Sequence, residues 1–239
     1  MPRPQTTTTE PDIIAPSTNP ATPPPEFSVV LIGNPGAGKS AILNVLGGDF
    51  FSGFSAIKGH PGTKTDIVEL RNRTVALIDT PGIMDSGREG TISRNLQLLQ
   101  DELNGCEEAL LFFVIKPDSG RISAGDYSVL KLLLSNLTRT PRIGLFLTKV
   151  ASDDIGQLDS TYRDDFVKML QEADVDTSHL GKNSWCVLQH HERKVGFSDE
   201  EKKRIHDYVS SFAPAKVEVK ELSLSIFMRI LEFFRNLFS

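Results

Sequence analysis

The sequence predicts an α/β fold of three layers, in which a mostly parallel central sheet of about six strands carries helices on both faces. Three observations indicate this fold. Strand and helix patterns alternate along the chain, a glycine-rich loop joins the first strand to the first helix, and the strand predicted at Ala109–Ile115 is apolar throughout. Because a wholly apolar strand is buried on both faces, we expect Ala109–Ile115 at the centre of the sheet.

The predicted elements follow one another in a regular order. Buried strands are indicated by short apolar runs, an edge strand by alternating residues at Thr65–Leu70, and helices by apolar residues three and four apart. The predicted strands are Phe27–Ile32, Thr65–Leu70, Thr74–Ile78, Ala109–Ile115, Ile143–Leu147 and Trp185–Leu188. The predicted helices are Ala41–Leu46, Ile92–Leu103, a segment capped by Ser123, Arg163–Glu172 and a segment capped by Ser198.

One domain with an extension at each end accounts for the 239 residues. Residues 1–25 contain eight of the 14 prolines and little apolar surface, so we predict a disordered tail rich in proline and threonine. Residues 26–214 are predicted to form the folded domain, and residues 215–239 a C-terminal amphipathic helix. Apolar residues share one face of that helix: Leu224, Phe227, Leu231, Phe234 and Phe238. Three interpretations of this face are open: it lies on a membrane surface, docks on its own domain, or contacts another subunit.

Charge and cysteine content exclude several classes of function. A net charge of −5 without a basic run argues against a nucleic-acid binder. Cys106 and Cys186 lie far apart without metal-type spacing, which favours reduced thiols. The chain shows no secretory signal and no apolar run of about 18–20 residues. We therefore expect a cytoplasmic protein, peripheral on a membrane if its C-terminal helix binds one.

The segment Gly33–Ser40 matches the phosphate-binding loop G-x-x-x-x-G-K-[ST] and lies between a predicted strand and a predicted helix. This position makes the fold a P-loop NTPase fold. The loop backbone would surround the phosphates, Lys39 would reach the β- and γ-phosphates, and the Ser40 hydroxyl would bind Mg²⁺. The residues expected to contact the nucleotide here are Asn34, Pro35, Gly36, Ala37, Gly38, Lys39, Ser40 and Ala41.

A second motif, Asp79-Thr80-Pro81-Gly82, has the form D-x-x-G and follows a buried strand. Asp79 would hold Mg²⁺, and the Gly82 N–H would contact the γ-phosphate, so the loop after it should reorder on hydrolysis. A nucleotide switch also needs a threonine between the two motifs. Thr63 and Thr65 compete for that role, and Thr63 is favoured because it lies in the loop beside Gly62. The expected metal ligands are Ser40, Thr63 and Asp79.

The segments Gly36–Ala41 with Asn44, Asp79–Gly82 and Gly120–Asp126 resemble the immunity-associated GTPases, the GIMAP or IAN family, whose G domain is of the avirulence-induced-gene type. The resemblance covers roughly residues 27–212. It implies that the chain binds GTP and GDP with Mg²⁺, hydrolyses GTP slowly and self-associates in a nucleotide-dependent way. Within the third segment, Ser123 and Asp126 also have the spacing of a helix cap, so a purely structural role is the alternative.

The base-recognition motif departs from the usual [NT]-K-x-D. Thr148 and Lys149 are followed by Val150-Ala151, so the aspartate that reads guanine is missing, and Asp153 or Asp154 is a candidate to replace it. Gln189 and His190 are further candidates to contact the base. Guanine preference therefore comes from the family resemblance, and a protein that uses ATP is an alternative.

Catalysis is predicted to be slow. The position after D-x-x-G is Ile83, which cannot orient a water, and we expect turnover on the order of 10⁻⁴ to 10⁻² s⁻¹. Lys39, Thr63 and Gly82 are the candidate catalytic groups. A second subunit, in a homodimer formed through the nucleotide face, would supply a missing group, and Arg88 or His60 are candidates. The alternative is a nucleotide-gated scaffold with negligible hydrolysis.

Overall fold

A six-stranded sheet forms the centre of the protein, with the strand order β2-β3-β1-β4-β5-β6. The computed structural model describes residues 23–50, 62–85, 88–139, 141–158, 160–180, 184–189 and 196–238. The strands are β1 Phe27–Ile32, β2 Lys64–Leu70, β3 Arg73–Asp79, β4 Ala109–Ile115, β5 Ile143–Val150 and β6 Trp185–Gln189. All neighbouring strands pair in parallel except β2, which lies antiparallel to β3 at one edge. The predicted sheet, its edge strand and its central strand are confirmed.

Helices cover both faces of this sheet, as predicted. The helices are α1 Lys39–Val45, α2 Glu89–Gly105, α3 Ala124–Asn136, α4 Ser160–Glu172, α5 Asp199–Val209 and α6 Leu224–Leu237, and a 3-10 helix covers Ser152–Gln157. Successive residues of β1 point to opposite faces: Val29 packs with α1 and α5, whereas Val30 packs with α2, α3, α4 and α6. Each face of the sheet therefore has its own hydrophobic core.

Residues 215–222 attach the C-terminal helix to the domain. Ala215 pairs with Ala109 at the start of β4. The Asn104 side chain donates to the Val219 carbonyl at 3.1 Å and accepts from the Val219 N–H at 2.8 Å. These contacts fix the direction in which the chain enters α6.

The apolar face of α6 packs on α3 and on the end of α2. Tyr127 of α3 stacks on Phe234, with ring centroids 5.2 Å apart. The buried residues of α6 are Phe227, Ile230, Leu231 and Phe234. Of the three interpretations of this helix, the structure shows the one in which it docks on its own domain. Among the helices of the described residues, none is long and apolar enough to cross a membrane.

Several predictions fall outside the described residues. The predicted tail is described only at residues 23–25, and His60 and His190 lie in segments that the structure does not describe. Three helices begin earlier than predicted, and α4 among them begins at Ser160 rather than Arg163. Helix α2 begins at Glu89, three residues before the predicted start, because backbone hydrogen bonds to Arg88 begin the helix before its apolar stripe does. Helix α1 begins at Lys39, inside the loop motif.

Candidate nucleotide-binding site

The parallel strands place the two phosphate motifs side by side. In the pairing of β1 with β3, Leu31 lies opposite Asp79, so the loop after β1 and the turn after β3 leave the sheet at the same edge. In open α/β sheets, ligands bind outside the carboxyl ends of the strands. The Gly33–Ser40 loop and the Asp79–Gly82 turn therefore form one site.

Two glycines of the loop are required by its geometry. A Cβ atom on Gly33 would lie 2.2 Å from the Val114 carbonyl oxygen of β4, so the loop can pass over the sheet only without a side chain. Gly38 has φ 100° at the N-cap of α1, in the left-handed region that glycine adopts at little cost. The loop conformation is therefore fixed by the positions that the motif specifies.

Lys39 lies inside this loop and is only 7% exposed. Its ammonium donates to the carbonyls of Gly33 at 3.2 Å and Asn34 at 3.4 Å, which are both neutral. Burial lowers the pKa of Lys39, and the charge of Asp79 opposes this shift. A bound phosphate would supply the negative charge that the buried ammonium lacks among its hydrogen-bond partners.

The Ser40 hydroxyl donates to Asp79 Oδ2 at 2.5 Å. Asp79 is 5% exposed, and its other carboxylate oxygen, Oδ1, is buried without a hydrogen-bond partner among the described residues. A hydroxyl and a carboxylate with an unused oxygen are the hard oxygen ligands that Mg²⁺ prefers. The residues present therefore fit a magnesium ion beside the phosphate loop.

The Asp79–Gly82 turn lies directly on the phosphate loop. A Cβ atom on Gly82 would lie 2.5 Å from Pro35 Cγ, and the Gly82 carbonyl accepts from Asn95 of α2 at 2.7 Å. Thr80 anchors the turn to the Leu31 carbonyl at 2.8 Å. Ile83 is fully buried in the hydrophobic core, so the residue after the turn points away from solvent.

The two candidate threonines differ in their surroundings. Thr63 precedes β2, whose first residue Lys64 lies opposite Asp79 in the sheet. The Thr63 hydroxyl is buried and makes no hydrogen bond to Ser40 or Asp79 in the described part of the chain. Burial raises the pKa of Glu102 in α2, and an interaction with the Thr63 side chain opposes this shift. Thr65 is exposed on the edge strand. The assignment of Thr63 as a metal ligand therefore stays a prediction.

Thr148 and Lys149 reach the phosphate loop from the end of β5. The Thr148 hydroxyl donates to the Ala37 carbonyl at 2.5 Å, and Lys149 Nζ donates to the Gly36 carbonyl at 2.8 Å. Burial lowers the pKa of Lys149, with a further contribution from the charge of Lys116. The base-recognition motif is thus joined to the loop by two side chains from consecutive positions.

Beyond Lys149 the structure distinguishes the two candidate aspartates. Asp153 is exposed, whereas Asp154 is partly buried and lines a cavity of about 270 Å³ together with Lys149 and Lys116. The Gln189 side chain donates to the Ser152 hydroxyl at 2.5 Å. The Gln189 amide is therefore engaged by the 3-10 helix.

Sequence analysis missed a contact between the phosphate loop and helix α3. Asn34 Nδ2 donates to Asp126 Oδ1 at 2.8 Å, and Asn34 Oδ1 accepts from the Met84 N–H at 3.3 Å. The predicted cap is also present, because Ser123 Oγ accepts from the Asp126 N–H at 3.1 Å. Asn34 and Asp126 are 92 residues apart in the sequence, and no local pattern would have revealed this pair.

These features define a nucleotide-binding domain of the P-loop class, and comparison with known proteins specifies its family. Residues 28–149, just over half of the chain, match the family described as 50S ribosome-binding GTPase. The chain belongs to this GTPase family. The GTPase part of the predicted resemblance is thereby confirmed at the level of the family.

A curated relative and solved structures are also similar to the chain. The tRNA modification GTPase MnmE of Methylobacterium sp. (strain 4-46) is 33% identical over 98 residues, which are 39% of this chain and 21% of that protein. The chain therefore spans about a fifth of the length of this relative. Toc33 from Arabidopsis thaliana, solved as a dimerisation-deficient mutant, has a TM-score of 0.50 at 17% identity, covering 81% of this chain and 87% of Toc33.

Two further structures of this kind show the same fold. Toc33 in complex with Mg²⁺ and GMPPNP has a TM-score of 0.50 at 17% identity, covering 81% of this chain and 88% of that one. A structure of the chloroplast translocon components atToc33 and psToc159, for whose GTPase activity dimerisation is described as important, has a TM-score of 0.51 at 15% identity. It covers 80% of this chain and 85% of that one. At these identities the likeness concerns the fold.

Proposed function

We propose that the chain is a nucleotide-dependent switch that binds GTP and GDP with Mg²⁺ and hydrolyses GTP slowly. The observation that carries this proposal is the contact between the two motifs. The Ser40 hydroxyl lies 2.5 Å from Asp79, and Gly82 packs against Pro35 of the phosphate loop. A turn that touches the loop in this way is placed to sense whether a γ-phosphate is present.

The residues of the site have separate roles in this mechanism. Lys39 would neutralise charge on the β- and γ-phosphates, and the Gly82 N–H would donate to the γ-phosphate. Ser40, Asp79 and the proposed Thr63 would hold Mg²⁺, which supplies further neutralisation of phosphate charge when it is bound. Because Ile83 is buried in the core, no side chain at that position orients the attacking water. Turnover on the order of 10⁻⁴ to 10⁻² s⁻¹ is therefore expected.

Guanine recognition is the second part of the proposal. The stem of Lys149 would cover the base, and Asp154 would accept hydrogen bonds from the N1–H and N2–H groups of guanine. Asp154 is preferred to Asp153 because it lines the cavity beside Lys149. His190, and Gln189 after a change of its contact with Ser152, would complete the base contacts.

Self-association through the nucleotide face is the third part. Ile83 leaves the water without an orienting group. We call the chain that begins at Ile83, directly after the Asp79–Gly82 turn, the switch segment. The exposed Arg88 at the start of α2 is near this segment in the sequence, where a second subunit could meet it. The proposal also covers family, location and partners. The chain would be a GTPase of the immunity-associated type, would be located in the cytoplasm and would have no nucleic-acid partner. Attachment to a membrane surface would use the exposed apolar end of α6, Phe233, Leu237 and Phe238.

Nucleotide affinities test the core of the proposal. We expect GDP and GTP to bind the wild type at least about tenfold more tightly than ADP and ATP. Lys39→Ala should weaken GTP binding by a factor of about 100 because a buried charge–phosphate contact is lost. Lys168→Ala, at an exposed lysine of α4, is the matched control and should change nothing. Tighter binding of ADP than of GDP would overturn guanine preference.

Single-turnover hydrolysis distinguishes the switch from a scaffold. The rate should rise with protein concentration if a second subunit completes the site, and Arg88→Ala should remove that rise. A slow rate independent of concentration would exclude dimer-assisted catalysis. Binding without any phosphate release would favour a nucleotide-gated scaffold with negligible hydrolysis.

A further inference from the structure

A buried polar cluster joins the phosphate loop, the switch segment and helix α3. Asp126, 5% exposed, accepts from Asn34 Nδ2 at 2.8 Å and from the Ser123 hydroxyl at 2.8 Å. Asn34 Oδ1 accepts from the Met84 N–H at 3.3 Å. Both ends of the Asn34 carboxamide are therefore used, one on α3 and one on the segment that follows Gly82. We call the contact between these two side chains the Asn34–Asp126 pair.

The switch segment is held on two sides by these contacts. Asn95 of α2 donates to the Gly82 carbonyl at 2.7 Å, and Asn34 accepts from the Met84 N–H two residues later. The start of α3 packs tightly here as well, because a Cβ atom on Gly125 would lie 2.4 Å from the Met84 sulfur. These contacts keep Gly82 against Pro35 of the phosphate loop.

The Asn34 side chain is engaged within the protein, so the contact predicted between Asn34 and the nucleotide would fall to its backbone. The loop holds phosphates through its backbone N–H groups and through Lys39, whereas the Asn34 carboxamide is directed to Asp126 and Met84. A hydrogen bond to a charged, buried acceptor is among the stronger ones in a protein, so Asp126 fixes the orientation of the Asn34 amide. The amide in turn offers its oxygen to one backbone group of the switch segment.

We propose that Asn34 is a positioning residue for the GTP-bound state: held by Asp126, it fixes the Met84 backbone so that Gly82 stays in place to meet the γ-phosphate. This inference rests on the proposed function, since it assumes that the Gly82 N–H contacts the γ-phosphate. It assigns to α3, outside the nucleotide site, a role in distinguishing triphosphate from diphosphate. Ser123 contributes by holding the second oxygen of Asp126.

The ratio of two affinities tests this role. Dissociation constants for GDP and GMPPNP are measured with Mg²⁺ on the full chain. Asn34→Ala should weaken GMPPNP binding about tenfold and leave GDP binding within about twofold, because Gly82 would no longer be held in place for a contact that only the triphosphate makes. Asn136→Ala is the matched control: it removes an amide hydrogen bond of 2.7 Å at the far end of α3 and should leave both affinities unchanged.

A double-variant cycle tests whether Asn34 acts through Asp126. Asp126→Ala breaks the same pair from α3 and should lower GMPPNP affinity by a similar factor, while the double variant should be no weaker than either single variant. Asp126→Asn keeps an acceptor for Asn34 and should retain most of the wild-type ratio. If Asn34→Ala does not fold, the two Asp126 variants still test the pair.

Three outcomes would overturn the inference or its basis. Equal losses for GDP and GMPPNP would show that Asn34 merely supports the loop, and additive losses in the double variant would show that the two residues act independently. Failure of the wild type to bind either nucleotide would instead overturn the proposed function, on which the inference depends.

Discussion

The two ends of the nucleotide site are built differently. At the phosphate end, Lys39 and Asp79 are buried, the loop packs on the sheet, and the contacts come from residues at the carboxyl ends of neighbouring strands. At the base end, Thr148 and Lys149 are anchored to the loop, but Asp154, the residue proposed to read the base, belongs to a 3-10 helix. The phosphate end is therefore built on the core of the domain, whereas the proposed base contact comes from outside the sheet.

The largest effect is expected where the phosphate end meets the sheet. Gly33→Ala places a Cβ atom 2.2 Å from the Val114 carbonyl, and the clash should lower the free energy of unfolding by about 3 kcal/mol. Urea denaturation of the variant measures this. The control is Gly36→Ala, whose Cβ would have open space, so that only its φ of 74° is strained and a loss of about 1 kcal/mol is expected. Equal losses for the two variants would contradict the proposed close approach.

The next effect concerns magnesium at the same end. Ser40→Ala removes one of the two oxygen groups that fit the ion, and should reduce the stimulation of GTP binding by Mg²⁺ by a factor of about 100. Affinities measured with Mg²⁺ and with a chelator give this stimulation. Affinity in the chelator should stay close to that of the wild type. Undiminished stimulation in the variant would remove Ser40 from the metal site.

A smaller effect is expected at the base end. Asp154→Asn exchanges an acceptor for a donor, so GDP affinity should fall about tenfold while binding of xanthosine diphosphate, whose C2 carries a carbonyl oxygen, should improve. Asp153→Asn is the control at the adjacent, exposed position. Competition between the two nucleotides measures the change in preference. The same exchange of preference in Asp153→Asn would assign base recognition to that residue.

The smallest effect is expected in the pH dependence of the free energy of unfolding. It comes from Asp126, in the buried polar cluster that contacts the phosphate loop. Burial raises the pKa of Asp126, against hydrogen bonds from Ser123 and Asn34 and the charge of Lys39. The Asp126 carboxyl group therefore keeps its proton to a higher pH in the folded state than in the unfolded state. The free energy of unfolding decreases as pH rises through the raised pKa. Asp126→Asn should lose less stability than the wild type as pH rises from about 4.

The unfolding free energies of both proteins, measured by urea denaturation at several pH values, check this sign. The difference, variant minus wild type, should increase with pH and then level off above the pKa of Asp126. A difference that decreases over the same interval would show that the ionised carboxylate stabilises the fold.

Local sequence patterns predicted the sheet and the phosphate end because short-range rules govern both. The parallel direction of most strands follows from the alternation of strands and helices, and the Gly33–Ser40 motif specifies a backbone conformation through its glycines. Ser40 and Asp79 meet because the two motifs end neighbouring parallel strands. Prediction therefore succeeded where a backbone conformation is set within its own motif, whereas the roles of the site residues stay predictions.

Contacts between distant segments escaped prediction. The Asn34–Asp126 pair joins a loop to a helix cap 92 residues away, and the cap pattern alone accounts for Ser123 and Asp126 without the loop. The sequence did not separate Asp153 from Asp154, because both residues have the same side chain. Which of them lines the cavity beside Lys149 depends on the turn of the 3-10 helix. The docking of α6 required knowledge of Tyr127 and its neighbours, since amphipathic patterns do not specify what covers them.

The packing of Tyr127 against Phe234 also determines how the C-terminal helix can be investigated. Removing α6 uncovers aromatic and aliphatic side chains of α3, and a newly exposed apolar surface binds lipid vesicles and other copies of the chain without any biological specificity. A shortened protein that sticks to membranes, or that aggregates, therefore reveals nothing about the native tail. Polar replacements of Phe233 and Leu237, which are 44% and 46% exposed, leave the domain covered and provide the cleaner probe.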